Sequence, residues 1–478
     1  MKKILLLFLI TCDTFTIKAQ VGKEAWHWQF GTNAALDFSS GSPVIGTSNI
    51  NTHEGCASIS DRNTGQLLFY TDGDSVWDKN NIRMPNGIGL INGIQGTTTQ
   101  GATIVPRPGT NNIYYIITAY DEAQPNYGVY YSIVDMNLNG GLGDVTTKNV
   151  LLTAPLVTEK VVATRHCNGT DYWILTHPFN SNNFNAYLVN SLGIDSTPVV
   201  SSIGAIEQNI CCGGFEATGY LKVSPNGKKL ALCLYIFSPK PIIEIYDFDN
   251  STGIVSNLIT IQINGGNYNG AYGCSFSPDN TKLYATVSGG SINRLLQFDL
   301  SSGVQSTILA SCDSLFTSNN HWAGGLQIAP NGKIYVANQN SDSIGVINSP
   351  NSLGTACNYQ YNAFRLSNNT ISGWGFPNFI DAGLSPTYTC TSTNINEALL
   401  TNRSVTIYPN PTIDQFFIEA NTTDKLSVDL YDVNGRHVFS SNVRDKSNIN
   451  VATLDNGIYT MTIKSVHLVA NKKLVIVR

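Results

Sequence analysis

The chain has 478 residues, 13% of them charged and 10% aromatic, with 42 glycines and a formal charge of −5. That length calls for more than one domain, and a turn-rich, aromatic-rich composition excludes a disordered chain. The mild acidity, with no long basic tract and no interleaving of basic and aromatic residues, excludes a nucleic-acid partner.

Met1, Lys2 and Lys3 precede a short apolar run at 4–10 and a polar stretch that ends at Gln20. This is the pattern of a secretory signal peptide, here residues 1–19 with cleavage after Ala19. The rival is a lipoprotein signal with Cys12 as the lipidated residue. Against it, Thr11 is bulkier than the small residue such signals place before the cysteine. The apolar run is too short to span a bilayer, and no other stretch is long enough, so no transmembrane span is expected. Without residues 1–19, nine cysteines remain, an odd number for an exported chain. Cys233 and Cys274 lie in apolar strands and read as small buried hydrophobes. Cys357 and Cys390 could close a loop, and adjacent Cys211 and Cys212 read as having separate fates. None of the spacings is that of a zinc site.

One unit recurs: an apolar strand, a tight turn, then a more apolar strand. The turns are Ser224-Pro225-Asn226-Gly227, Ser277-Pro278-Asp279-Asn280 and Ala329-Pro330-Asn331-Gly332. Proline presets φ at the second turn position, and glycine frees the exit. Weaker copies precede them at 57–70, 102–117 and 161–175. With Gly65, Gly109, Gly169, Gly227, Asn280 and Gly332 as markers, the steps are 44, 60, 58, 53 and 52 residues. A period near fifty with several short strands per unit predicts a β-propeller. The strands at 113–117, 172–175 and 230–237 are apolar on both faces, as expected of blades packed against two neighbours. A seventh inner strand is expected at 373–380. Nothing follows to finish its blade, so the segments at 26–30 and 34–38 are expected to complete it and close the ring. Seven blades are expected, with six or eight as the alternatives.

Residues 386–403 read as a linker. Beyond it, seven short strands restart. Leu426, Val428 and Leu430 alternate with polar partners, and Val433-Asn434-Gly435 marks a hairpin. That pattern predicts a small two-sheet, immunoglobulin-like sandwich. The expected organisation is all-β: signal peptide 1–19, propeller 20–385, linker 386–403 and sandwich 404–478.

The last segment resembles a known family. Tyr408-Pro409-Asn410-Pro411, the run from Leu430 to Gly435-Arg436, the run from Leu454 to Gly457-Ile458-Tyr459, and Lys472-Lys473-Leu474-Val475 follow, in order, the pattern of the type A C-terminal sorting domain. The resemblance implies export through the type IX secretion system of Bacteroidetes. It also implies removal of the domain, usually with attachment of the remainder to surface lipopolysaccharide. Motifs such as Glu54-Gly55-Cys56-Ala57, Leu68-Phe69-Tyr70-Thr71-Asp72-Gly73 and Phe376-Pro377-Asn378-Phe379 are similar to a propeller module of Bacteroidetes surface proteins, which brings no assigned activity.

Catalytic signatures are missing. No His-Glu-x-x-His or Gly-x-Ser-x-Gly occurs. Glu54, Asp61, Asp72, Asp74 and Glu159 are candidate carboxylates by type only. His166 and His177 read as surface or satisfied core residues. Asp72-Gly73-Asp74 reads as a polar turn before a calcium site. Thr158-Glu159-Lys160 is expected near one mouth of the ring, salt-bridged or binding. No metal or other cofactor is expected. Unit-to-unit variation falls in loops at 121–128, 207–215 and 317–322, where specificity resides on a rigid ring. Among them His321 and Trp322 join hydrogen bonding to an aromatic plate suited to sugar; the plainer reading is that Trp322 packs under the next inner strand. Two classes remain open: a noncatalytic surface or secreted binding protein for glycan or protein, and a secreted hydrolase or lyase acting on polysaccharide or peptide. The missing nucleophile and metal set favours the first.

Overall fold

The structure is a computed structural model. It describes residues 22–92, 96–120, 126–208, 215–235, 242–263, 270–288, 292–381, 405–420, 424–432, 436–465 and 468–478. The signal segment, the linker and the turn holding Gly435 lie outside these residues. So do Cys12, Cys211, Cys212, Cys390 and much of the loops at 121–128 and 207–215. The chain divides into two compact units, Met1–Cys390 and Thr391–Arg478.

The first unit contains seven antiparallel sheets among its described residues. Six follow one another at 57–88, 102–153, 157–207, 221–262, 270–318 and 323–365, here blades one to six. In each, consecutive strands pair as neighbours, the earliest innermost, except that blade three carries a fifth strand, which returns to pair with the third. The seventh sheet comes from the start of the unit: His27–Phe30, Thr32–Asp37 and Val44–Asn51. The innermost strands are buried on both faces, as in Val157–Arg165 and Gly270–Phe276.

All six marker residues of the repeat have positive φ, from 65° at Gly227 and 66° at Asn280 to 80° at Gly65. The repeat therefore keeps a left-handed residue at this point. Glycine, or once asparagine, meets the requirement with little strain.

Apolar clusters link each blade to the next. One joins blades four and five through Ile245 and Phe276, and another joins five and six through Leu295 and Val336. The cluster that closes the ring draws Tyr335 from blade six, Trp28 and Phe30 from blade seven, and Tyr70 from blade one. Trp28 is fully buried among Phe38, Tyr335, Phe376 and Phe379, with ring centroids 5.0–5.7 Å away. The first unit is a β-propeller, and its seventh blade is built by the start of the chain.

The expected inner strand at 373–380 is not a regular strand. The segment descends between the inner strands of blades six and one. The Trp374 amide donates to the His53 carbonyl at 2.7 Å, the Gly325 amide to the Trp374 carbonyl at 2.6 Å, and the Asn378 amide to the Cys56 carbonyl at 2.9 Å. Pro377 has no N–H to extend a ladder. A Cβ on Gly373 would lie 2.2 Å from the His53 carbonyl oxygen, so that approach needs glycine. Further down, Asn378 Nδ2 donates to the Val161 carbonyl at 2.7 Å, and Asp381 accepts from Gln327 Nε2 at 2.6 Å and lies 3.3 Å from Lys222 Nζ. Residues 374–381 thus bond to inner strands around the ring and occupy its axis.

The second unit is a two-sheet sandwich of immunoglobulin-like kind. Thr406–Tyr408, Gln415–Glu419 and Ser447–Asn450 form one sheet; His437–Val443, Leu426–Tyr431, Gly457–Ser465 and Leu468–Ile476 form the other. Leu426, Val428 and Leu430 point inward onto Phe416, Ile418, Met461 and Ile463.

Candidate functional site

His321 and Trp322 lie in the link between Asp313–Ser318 and the inner strand Ala323–Ile328. Ser318 Oγ accepts the amides of Asn320 and His321 at 3.2 and 3.1 Å, which turns the chain sharply at the ring's rim. The Gln339 amide donates to the Trp322 carbonyl at 3.0 Å and fixes the tryptophan backbone. The Trp322 ring leans on Trp374, 5.4 Å away, yet the residue stays 37% exposed. The His321 ring is 4.9 Å from Tyr361, itself stacked on Phe316 at 4.8 Å.

These aromatic rings border an open hollow of about 670 Å³. The carboxamides of Asn320, Gln339, Asn340 and Asn362 line it, with Ser341 and Asp342. Asp342 is paired with Arg365 at 2.9 Å on the exposed rim. Behind the wall, Asn338 Nδ2 donates to the Tyr361 carbonyl at 2.9 Å and to Asn362 Oδ1 at 3.3 Å. Its Oδ1 is buried without a partner among the described residues. The hollow is therefore neutral, hydrogen-bonding and aromatic on one side. His321 and Trp322 were legible in the sequence. Tyr361, Asn362 and the 339–342 turn were not, because they come from later strands of the same blade.

From Trp374 an aromatic run continues inward, to Tyr272 at 5.0 Å and on to Tyr220 at 5.7 Å. Burial holds both phenols well above their usual range, so both stay protonated. Nearby, Glu159 accepts from the Thr99 amide at 2.8 Å and from Thr99 Oγ1 at 2.6 Å. Lys160 Nζ lies 2.6 Å from Glu207 and donates to the carbonyls of Ala217 and Thr218 at 3.0 and 2.9 Å. His177 Nδ1 is 3.6 Å from Glu207, and all three side chains are fully buried. Burial, reinforced by Lys160, pushes the His177 imidazole down to about 3. Burial pushes the Glu207 carboxyl up to about 7 against the pull of Lys160. With no exposed atom to meet a substrate, the cluster is structural, and the salt-bridged reading of Lys160 is the one observed.

The remaining candidates disperse. Asp61 accepts the amides of Asn63 and Thr64, and Asp72 those of Asp74 and Ser75, so both carboxylates serve turns. Among the described residues no group of His, Cys, Asp and Glu could hold a metal ion. Cys233 and Cys274 are buried free thiols, as their strands suggested. Cys357 is also a free buried thiol, which corrects the expected loop closure with Cys390: it packs with Leu315 and Tyr359 between blades five and six. Cys167 is in a disulfide.

In the sandwich the sorting motifs converge in part. Asn410, between Pro409 and Pro411, donates through Nδ2 to the Lys473 carbonyl at 2.7 Å and accepts the Val475 amide at 2.9 Å. Lys472 and Lys473 are exposed on that strand, which pairs Gly457 with Ile476. Tyr459 is buried, its hydroxyl donating to the Asp455 carbonyl at 2.8 Å. Arg436 is exposed beside Asp432, 3.1 Å away. The first and last motifs are thus tied by one asparagine side chain.

Residues 406–477 match the family described as a secretion system C-terminal sorting domain, and the second unit is such a domain. The chain is a secreted or cell-surface β-propeller protein delivered by the type IX secretion system. Among the described residues no helix is long and apolar enough to cross a membrane. A search of curated proteins finds no match. Solved structures similar to this chain include a hydrazine synthase of Kuenenia stuttgartiensis (12% identity, 70% of this chain and 98% of that one, TM-score 0.41). They also include a putative 6-phosphogluconolactonase of Bacteroides uniformis (12%, 83% and 98%, 0.38) and a periplasmic gluconolactonase of Pseudomonas aeruginosa (12%, 71% and 99%, 0.34).

Proposed function

We propose that the propeller, residues 20–385, is a noncatalytic binding module that holds an extracellular glycan in the hollow beside Trp322. After sorting, the module works at the cell surface, attached to lipopolysaccharide, or in the medium. The observation that carries this reading is the pairing of a 37% exposed tryptophan with a wall of four carboxamides. A pyranose presents C–H groups on one face and hydroxyls around its edge. The indole meets the first, and the amides, donors and acceptors at once, meet the second. Among the described residues that line the hollow the one acid is Asp342, which is paired with Arg365.

The test is a glycan array on the full chain and on a His321→Ala, Trp322→Ala double variant. Removal of the plate forfeits about 1–1.5 kcal/mol of stacking, roughly a tenfold loss of affinity, and melting curves check that the variant, which also loses the contacts to Trp374 and Tyr361, is folded. Equal binding by parent and variant would remove the hollow from the mechanism. Steady turnover of a polysaccharide or peptide by the parent, lost with a single carboxylate, would make the protein an enzyme instead.

A further inference from the structure

At the opposite face, where the inner strands end, a cleft of about 230 Å³ opens between blades one, two and three. Arg62 and Arg107 line it, and Arg165 stands behind in an adjoining narrow cavity with Glu24 and Tyr172. Each of the three arginines lies at the end of its blade's inner strand or within two residues of it, two to four residues before the marker glycine. Three guanidinium groups thus gather at this face in a chain whose net charge is −5.

Their present partners indicate what they take. One oxygen of Glu24 lies 3.4 Å from Arg62 and 3.2 Å from Arg165, a carboxylate held between two guanidinium groups. Among the described residues Arg107 has no such partner: its Nη2 donates to the Ser191 carbonyl at 3.2 Å, and its buried Nε meets no acceptor. Arg165 Nε is likewise buried and unmet, on a residue only 9% exposed. Asp61, the other acid of the cleft, has its Oδ1 engaged by its own turn. A partly exposed guanidinium with no carboxylate partner among the described residues, at the wall of a partly enclosed cleft, favours a planar anion that accepts two hydrogen bonds.

We propose that this cleft is a second binding site, for a carboxylate-bearing sugar. Arg107 receives the carboxylate, beside Arg62, which is already paired with Glu24. The exposed amides of Asn63 and Asn111 are placed for ring hydroxyls. Residues 374–381 fill the ring's axis between the two faces, so this site and the hollow at Trp322 act independently.

The experiment is calorimetric titration of the full chain with D-glucuronate, methyl D-glucoside, acetate and inorganic phosphate. Saturable binding of glucuronate is expected, weakened by salt, with no binding of the uncharged glucoside and weaker binding of acetate. Arg107→Gln should lower glucuronate affinity about tenfold, the loss of one charge-assisted bidentate contact. Glu24→Gln, which frees two guanidinium groups, should raise it several-fold. Trp322→Ala should leave it unchanged. Melting curves identify any variant that is unfolded, and Arg107→Gln, at the cleft surface, decides if Glu24→Gln does not fold. The proposal is overturned if glucuronate fails to saturate the parent, if phosphate binds as tightly as glucuronate, or if Arg107→Gln binds like the parent.

Discussion

The two units handle the interior of a sheet in opposite ways. In the sandwich, strands alternate: Leu426–Tyr431 buries every second residue, and one apolar cluster fills the space between the sheets. Its ion pairs, such as Lys446–Glu419 and Arg436–Asp432, lie at the surface. In the ring, inner strands are buried throughout, so polar side chains with nowhere else to go are paired inside. Lys160, Glu207 and His177 sit together at zero exposure, and Lys222 meets Asp381 on the axis. The difference follows from topology. A sheet packed on one side can turn its polar residues to water, whereas a blade packed on both sides must satisfy them within the protein. The sandwich thus keeps its charges at the surface, while the ring is tied together by polar contacts from its axis outward.

The sharpest break between the units is in export. Deleting residues 405–478 should abolish surface delivery and leave the ring in the periplasm, because the sorting motifs all lie in the sandwich. Cell fractionation checks this, and truncated protein at the surface would show that the ring carries a signal of its own. The next effect is on stability. Lys160→Met leaves the buried Glu207 carboxylate without its cation, and such a removal costs about 3–5 kcal/mol. The matching change in the sandwich, Lys446→Met, breaks a pair whose lysine side chain is 66% exposed. It should cost less than about 1 kcal/mol. Equal losses in chemical denaturation would erase the contrast.

Much of this was legible in the sequence for identifiable reasons. Turn chemistry is local, so the markers from Gly65 to Gly332 located the repeat, and each proved to be a left-handed residue. Strands apolar on both faces announced the blades, and the alternation at Leu426, Val428 and Leu430 announced the sandwich. Trp28 and the aromatic residues around it marked the closing blade. The strand Val44–Asn51 escaped notice because it is an exposed outer strand with a polar centre. The axial path of 373–380 was hidden because its aromatic residues carry the pattern of an inner strand, while Gly373, Gly375 and Pro377 break the ladder. Lys160 and Glu207 are 47 residues apart, on the first and last strands of blade three, and meet only once that blade's strand pairing is known. The hollow at Trp322 was half legible for the same reason: two of its residues are adjacent in sequence and the rest are not. Arg62, Arg107 and Arg165 lie two to four residues before their markers, a clustering that a strict alignment of the repeats on their turns does not superpose.

The finest distinction between the units is their response to acid. In the ring, Glu207 is raised from an ordinary 4.5 to about 7, by burial first, with Glu244 and Glu216 adding to it and Lys160 opposing. The folded state therefore takes up this proton before the unfolded state does, and stability rises as pH falls from 7 to 4.5. His177 is lowered from 6.5 to about 3, by burial and then by Lys160. The unfolded state takes up that proton first, so stability falls as pH drops from 6.5 to 3. Each group contributes at most about 1.4 kcal/mol per pH unit, so between 6.5 and 4.5 the two nearly cancel and only the loss from His177 survives below. His177→Phe keeps a ring against Phe184, which lies 4.8 Å from the imidazole, and removes the second titration. The ring's melting temperature should then rise as the variant is acidified from pH 7 to 4.5, where the parent is flat. The sandwich contains no counterpart among its described residues: Asp429, held below the usual carboxylate range by Ser440 and then His437, only loses stability as pH falls through its folded value. A flat profile in His177→Phe would mean that Glu207 stays ionised beside Lys160 down to the ordinary carboxylate range. The ring's buried charges would then titrate no differently from the pairs on the sandwich surface.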